Sequence, residues 1–224
     1  MKIFLKIAFA ISLCISVSYA ASQKGTMTDP RDGKKYKTVK FSDQVWMAEN
    51  LNYKTSSSYC YDDNPDNCKK YGRLYKWAAA QKACPNGWHL PDKHDITSFF
   101  SRLQCTSEED PNNCGIVGLE HADLGYKLKS KRDWKNPDSR CAWHDDNDAT
   151  DEFSFSILPA GYRSSTEEFD EIGESAYFWT SVGYYNEGAP AVHLSYCFDS
   201  IRLSDSNGAG YHKNGARSVR CIKD

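Results

Sequence analysis

The sequence predicts an α+β fold: one domain of short antiparallel strands and two to three helices, with long loops and disulfides. Three observations carry this expectation. Apolar and polar residues alternate in short segments that concentrate after residue 153, which is the period of a half-buried strand. Ile96, Phe99, Phe100 and Leu103 recur at i, i+3, i+4 and i+7, which is the period of an amphipathic helix. Cysteine is frequent, with 9 in 224 residues. No linker or shift in composition divides residues 21–224, so they read as one unit.

The first twenty residues read as a signal peptide. Lys2 and Lys6 supply a positive start, Ile7 to Val17 an apolar stretch too short to span a bilayer comfortably, and Ser18-Tyr-Ala20 the small residues of a cleavage site. A membrane anchor and a lipoprotein signal acylated at Cys14 are the alternatives, and the bulky Leu13 before Cys14 argues against the second. Cleavage after Ala20 leaves 26 basic residues against 30 acidic ones, a net charge of −4, and removes Cys14. Eight cysteines then remain. That is an even set in an exported chain, which suits four bridges.

Composition excludes several classes. Aromatic residues make up 13% of the chain, enough apolar surface to rule out disorder. The acidic balance argues against nucleic acid as a partner. No second long apolar run is present, so no integral span remains after cleavage.

Taken in order, residues 21–28 read as a polar lead. Asp32-Gly33 is a hairpin-type turn before Lys35 to Phe41, where Val39 and Phe41 alternate with lysine. Gln44 to Met47 is its antiparallel partner. Residues 51–70 read as loop. Arg73 to Ala83 reads as a helix, with Leu74, Trp77, Ala78 and Gln81 at helical spacing and Pro85 and Gly87 ending it. Asp92 is the expected N-cap of the helix that carries Ile96 to Leu103, with Asp95 at its third position. Leu119 to Leu128 reads as a short third helix and 130–152 as loop. Strands are expected at 153–158, 176–181, 191–196, 198–203 and 217–222.

Cysteine spacing alone does not choose a connectivity. The turn-rich loops Cys60 to Cys68 and Cys105 to Cys114 favour local closure, because their ends meet cheaply. Cys84, Cys141, Cys197 and Cys221 are left, and we favour Cys84–Cys221 and Cys141–Cys197. A zinc site is disfavoured, since no C-x-x-C pair is present and the histidines are scattered.

Six strings occur in an order that marks a known family. They are Thr26 to Asn52 with its Gln44-Val-Trp-Met-Ala-Glu-Asn-Leu-Asn52 stretch, Gly72-Arg-Leu-Tyr-Lys-Trp-Ala-Ala-Ala80, Ala83-Cys-Pro-Asn-Gly-Trp-His-Leu-Pro91, Phe155-Ser-Ile-Leu-Pro-Ala-Gly-Tyr-Arg163, Ala176-Tyr-Phe-Trp-Thr-Ser181 and Ser218-Val-Arg-Cys221. Over about Gly25 to Asp224 the chain resembles the Fibrobacter succinogenes major paralogous domain. The resemblance implies a single C-type-lectin-like domain of the kind shared with formylglycine-generating enzymes. In such folds a disulfide often joins the first helical region to the terminal strand, which agrees with Cys84–Cys221. The family is exported and has no established activity. His94-Asp95-Ile96 stands where the family carries Glu-Trp, and the 105–114 and 134–148 segments look individual.

No chemistry is singled out. The cysteines are all accounted for as bridges, so a formylglycine-type thiol is not expected. No Gly-x-Ser-x-Gly elbow is present, and no carboxylate pair stands out for glycoside hydrolysis. Asp62 to Asn64 and Asp145 to Asp148 lack the spacing of a twelve-residue calcium loop, and the Glu-Pro-Asn and Trp-Asn-Asp strings of sugar-binding C-type lectins are absent. No cofactor, metal or catalytic residue is therefore assigned.

His89 reads as a hydrogen-bonded core residue, and Trp46, Trp77, Trp88 and Trp179 as core. Trp134 and Trp143 lie in polar surroundings; packing under a loop is the simpler reading, but Trp143 beside Asp and Asn also suits sugar stacking. Tyr184, Tyr185, Asn186, Tyr211, His212 and Asn214 form a Tyr/Asn-rich group of the kind that suits adaptable recognition. The candidate ligand-binding set is thus Trp143, Tyr184, Tyr185, Asn186, Tyr211 and His212. The expected function is an exported, non-catalytic module that binds a glycan or surface ligand, secreted or at the cell surface. The alternative is a structural or adhesive protein with a protein partner, and a hydrolase or oxidase is a distant third.

Overall fold

The computed structural model describes residues 22–104, 120–121, 124–135, 141, 149–183, 187–203 and 210–224. The expected leader, the Cys105–Cys114 bridge, Trp143, the Asp145 to Asp148 run and Tyr184, Tyr185 and Asn186 lie outside these residues.

The described chain begins with β1 (Gln23–Thr28), β2 (Lys35–Phe41), β3 (Gln44–Met47) and β4 (Ser58–Tyr59). A single 3-10 turn at Tyr61–Asp63 precedes α1 (Pro65–Tyr71), followed by β5 (Leu74–Lys76), α2 (Trp77–Ala80), β6 (Trp88–His89) and α3 (Lys93–Gln104). Next come β7 (Glu120–His121), α4 (Gly125–Leu128), β8 (Ala160–Arg163), β9 (Phe169–Ile172) and β10 (Ser175–Trp179). The chain closes with β11 (Gly188–Ala189), β12 (Ala191–Ser195), β13 (Ile201–Leu203), β14 (Tyr211–His212), β15 (Ala216–Arg217) and β16 (Ile222–Lys223).

Two main sheets result. One runs β1-β2-β3-β16-β6; the other runs β4-β5-β15-β8-β10-β12-β13-β7, with β9 on β8. Almost every pairing is antiparallel, the exceptions including β8 with β10. The fold is therefore α+β, with four helices among the described residues.

α3 fits its sequence signal. Asp95 donates its backbone N–H to Asp92 Oδ1 at 2.8 Å, and Asp92 donates its own to Asp95 Oδ2 at 2.9 Å. Each aspartate thus satisfies the other's amide, as in a capping box. Ile96, Phe99, Phe100 and Leu103 are all buried, each contributing roughly 1.5–3 kcal/mol. They pack on Phe41 and Trp46 of the smaller sheet and on Phe178, Val192 and Ile201 of the larger one. The ring of Phe99 lies 5.3 Å from that of Phe41 and 4.8 Å from that of Trp46.

Several expectations are corrected. There are four helices among the described residues where two to three were expected, and the expected Leu119 to Leu128 helix is only Gly125–Leu128, with Glu120–His121 in a strand. Residues 21–28 are not a lead but include β1, which pairs with β2 along its whole length. The expected helix at Arg73 to Ala83 shrinks to Trp77–Ala80. Leu74 and Tyr75 are both buried in different clusters, and only an extended chain points successive side chains to opposite faces. The loop at 51–70 contains α1, capped by Asn64, whose side chain accepts the Asp66 N–H at 3.0 Å, with Pro65 as first residue. Finally, 153–158 is not a strand. Phe153, Phe155 and Ile157 do alternate inward, but Ser154 and Ser156 have φ of 55° and 49°. The carbonyls of Phe155 and Ser156 accept from the Arg220 guanidinium instead of from a neighbouring strand.

The segment 216–222 is likewise divided. β15 belongs to the larger sheet and β16 to the smaller, and the residues between stitch the two together. Val219 and Cys221 accept the N–H groups of Leu51 and Met47, at 2.9 and 3.0 Å. Three disulfides are formed among the described residues, Cys60–Cys68, Cys84–Cys221 and Cys141–Cys197, the three favoured pairs that lie there. They suit an oxidising compartment. No helix among the described residues is long and apolar enough to cross a membrane.

Candidate functional site

The larger sheet has two unlike faces. Ala176, Phe178, Val192 and Leu194 point into the core under α3. On the other face β10 and β12 present Tyr177 opposite His193, and β8 and β15 contribute Tyr162 and Arg217. Tyr211 of β14 leans onto the same group. The rings of Tyr162 and Tyr211 meet that of Tyr177 edge-on at 5.4 and 5.3 Å, while His193 stacks flat on it at 4.5 Å.

Arg217 sits at the centre of this group, 6% exposed. Its guanidinium carbon lies 4.2 Å from the Tyr211 ring centroid, 4.5 Å from that of Trp179, 5.6 Å from that of Tyr162 and 5.7 Å from that of Tyr177. Cation–π attraction therefore holds the charge from four sides. Two of its nitrogens, Nε and Nη1, are buried with no acceptor among the described residues. Arg220, three residues on and equally buried, is the contrast. Its guanidinium donates to Asn50 Oδ1 at 2.9 Å, to Ser156 O at 2.9 Å and to Phe155 O. Buried guanidinium nitrogens without acceptors are costly, and an acceptor brought by a ligand would relieve that cost.

The titratable neighbours respond to the same setting. Burial lowers Arg217 to about 10, against the facing hydroxyls of Tyr211 and Tyr177. Burial, with Arg202, Arg217 and Lys129 adding positive charge, pushes His193 down to about 4, so its ring is neutral near pH 7. Burial and then the bond from its hydroxyl to Glu171 Oε2, at 2.7 Å, raise Tyr177. The result is an aromatic wall around a cation and a neutral imidazole. Of the nearby carboxylates, Glu171 is engaged by Tyr177, and Asp170 and Glu168 lie near Tyr162. Among the described residues no three His, Cys, Asp or Glu side chains gather as a metal site.

Of the expected ligand-binding residues, Tyr211 belongs to this group. His212 follows it but is exposed, its Nδ1 accepting the Asn214 N–H at 3.1 Å and its Nε2 lying 3.6 Å from Glu187. The Tyr184–Asn186 segment follows Gly183, which closes on the Trp77 ring. Trp134 is half-buried against the main core, its indole N–H donating to Ile157 O at 3.0 Å, so it packs under its loop. Trp77 and Trp88 are half-buried on the second core cluster, whereas Trp46 and Trp179 are fully buried. His89 is hydrogen-bonded but not sealed in the core: its ring lies between Asp224, at 2.7 Å, and Asp95, at 3.2 Å. Sequence reading missed Tyr162, Tyr177, His193 and Arg217. Their signal was present as polar or amphipathic residues alternating with the core positions of strands, which looks the same as an ordinary solvent face.

The fold and this group define a disulfide-stapled α+β domain with an aromatic face around a buried arginine. The family model of the Fibrobacter succinogenes major domain matches residues 39–223, and the chain belongs to that family. No curated protein and no solved structure matches it significantly.

Proposed function

We propose that this protein is an exported, non-catalytic binding module that recognises a glycan on the Arg217 face, at the cell surface or in the medium. The observation that carries this reading is Arg217 itself, buried among four rings with two guanidinium nitrogens unsatisfied. The half-buried rings of Tyr162 and Tyr211 are the ones open to stack on sugar C–H faces, and the guanidinium supplies donors for hydroxyl or carboxylate oxygens. Tyr184, Tyr185, Asn186 and Trp143 remain candidate contacts in this reading on their residue types alone. The bridges and the leader-like first twenty residues support export. The Cys84–Cys221 link from the helical region to the closing segment supports a C-type-lectin-like reading of the fold.

The test is a glycan array followed by affinity electrophoresis with the oxidised, leaderless chain. Retention by at least one polysaccharide is expected, and Tyr211→Ala should weaken it about tenfold, the size of one lost stacking contact with its surroundings. Arg217→Met keeps the bulk and removes the donors, and is expected to weaken it at least as much. Absence of retention on every glycan, or retention indifferent to both substitutions in folded protein, overturns the reading.

A further inference from the structure

We propose a second binding site, for a polyanionic polysaccharide, in the groove between β2 and α1. It shares no residue with the Arg217 face and does not rest on the reading given for that face.

The groove has a volume of about 490 Å³, within the range of ligand sites. Three pairs of adjacent basic residues from three separate stretches meet there: Lys34-Lys35, Lys69-Lys70 and Lys131-Arg132. Lys37 adds a seventh positive charge, against the lining carboxylates Glu49 and Asp151. This convergence occurs in a chain whose formal net charge is −2. Cations far apart in sequence converge along one depression, and they outnumber the lining and paired carboxylates, so the local charge opposes the net charge of the chain.

The counter-charges leave room for an anion. Lys34 pairs with Asp32 at 3.0 Å, Lys69 with Asp66 at 2.7 Å, Lys37 with Glu49 at 3.9 Å, and Lys70 with Asp133. These lysines are exposed, and exposed pairs are weak enough for a ligand to displace. Lys35, Lys131 and Arg132 are exposed and have no ion pair among the described residues. The two lining carboxylates are already engaged. Glu49 accepts the Lys37 N–H at 2.7 Å, and Asp151 accepts the Ser156 N–H and hydroxyl at 2.7 and 2.5 Å.

The floor is preformed. Asn50 Nδ2 donates to Tyr71 O at 2.9 Å, Asn52 Nδ2 to Cys68 O at 2.9 Å, and Tyr36 accepts the Asn52 N–H at 3.0 Å. Cys60–Cys68 ties α1, one wall of the groove, to the turn before it. The floor also decides between kinds of polyanion. A nucleic acid gains much of its affinity for such grooves by stacking bases on open rings. Here the lining rings, Tyr36 and Tyr71, are 4% and 8% exposed, so no ring is offered to a base. Point charges on flexible lysines along a polar floor suit instead a chain of sugars with regularly spaced carboxylate or sulfate groups.

The experiment uses the leaderless, oxidised chain and four probes: polygalacturonate, its fully methyl-esterified form, dextran sulfate and a single-stranded oligothymidylate. Polygalacturonate is expected to bind, with affinity falling steeply as salt is raised, and the neutral ester is expected not to. Dextran sulfate in place of polygalacturonate makes the anion a sulfate and leaves the site as proposed. The double variant Lys131→Ala, Arg132→Ala should weaken binding about tenfold, as expected for two lost charge contacts. Lys35→Glu should weaken it at least as much. Arg217→Met should leave it unchanged, which separates this site from the aromatic face. Equal binding of the acid and its ester, tighter binding of the oligonucleotide, or indifference to the charge variants overturns the proposal.

Discussion

The rings of Tyr177 and His193 lie parallel, 7° apart, with centroids at 4.5 Å. Each is pinned by its cross-strand register, since Tyr177 of β10 faces His193 of β12 directly. The imidazole Nε2 is buried and has no partner among the described residues.

This pair sets an acid limit on stability. His193 is held at about 4 by burial and by Arg202, Arg217 and Lys129, whereas an unfolded histidine titrates near 6.5. The unfolded chain therefore takes up a proton, between pH 6.5 and 4, that the folded chain refuses. Stability is present above 6.5 and is lost as pH falls toward 4, by about 3 kcal/mol if the whole gap is realised. Urea unfolding at pH 7 and pH 5 is expected to show the drop, and His193→Gln should flatten it.

His89 acts with the opposite sign. Burial works to lower it, but hydrogen bonds to Asp224 and Asp95 outweigh that and raise it above 6.5. Its contribution is present below 6.5 and fades as pH rises through the folded value. The ring is 44% exposed in its side chain, so the effect stays below about 1 kcal/mol. In a histidine-resolved NMR titration His89 is expected above 6.5 and His193 well below it. Asp224→Asn should lower the first and leave the second in place.

Gly161 tests the hairpin of β8 and β9. It has φ of +62°, and a Cβ there would meet the Asp170 carbonyl oxygen at 2.3 Å. Backbone cannot swing aside as a long side chain can, so Gly161→Ala should cost about 2 kcal/mol or more. Gly87 has φ of +79° but open space around a Cβ, so Gly87→Ala should cost only about 1 kcal/mol. Equal midpoints for the two variants in chemical denaturation would contradict the steric argument.

Local periodicity was readable wherever local and tertiary demands agree. Asp92, Asp95 and the Ile96 to Leu103 spacing carry cap and buried face within a few residues, and α3 forms there. The Lys35–Phe41 and Gln44–Met47 strands pair with each other and needed no distant partner. The failures occur where a distant group decides. Tyr75 and Lys76 are drawn into a strand by β15, well over a hundred residues away, and Leu74 by Tyr59 of β4. Phe153 to Leu158 has strand alternation, but Arg220 takes the carbonyls a strand would use. The Asn64-Pro65 start of α1 is the exception, a local signal hidden in a polar run. At the candidate site Tyr211 was found from composition. Arg217 was not, because an arginine in a strand gives no hint that rings from four other positions will bury it.

The Cys84–Cys221 bridge is the covalent counterpart of these long-range contacts. It closes a separation of 137 residues and ties the chain after α2 to the segment that stitches the sheets. In the chain-entropy picture a loop of that size costs the unfolded state about 5 kcal/mol of freedom, against about 2.5 for the 8-residue Cys60–Cys68 loop. The Cys141–Cys197 bridge lies within the larger loop and shortcuts 56 residues of it. Loop entropy varies with the logarithm of length, so this trims the figure only to about 4.5 kcal/mol. The native side points the same way. Cys221 is 0% exposed in the second core cluster with Ala83 and Val219, and Cys221 O accepts the Met47 N–H at 3.0 Å. Replacing both Cys84 and Cys221 by alanine should therefore lower the midpoint of thermal unfolding by considerably more than replacing Cys60 and Cys68. Loss of the small loop should instead weaken polyanion binding at the α1 wall while sparing most of the stability. Equal losses from the two double variants would show that loop closure is not what the long bridge contributes.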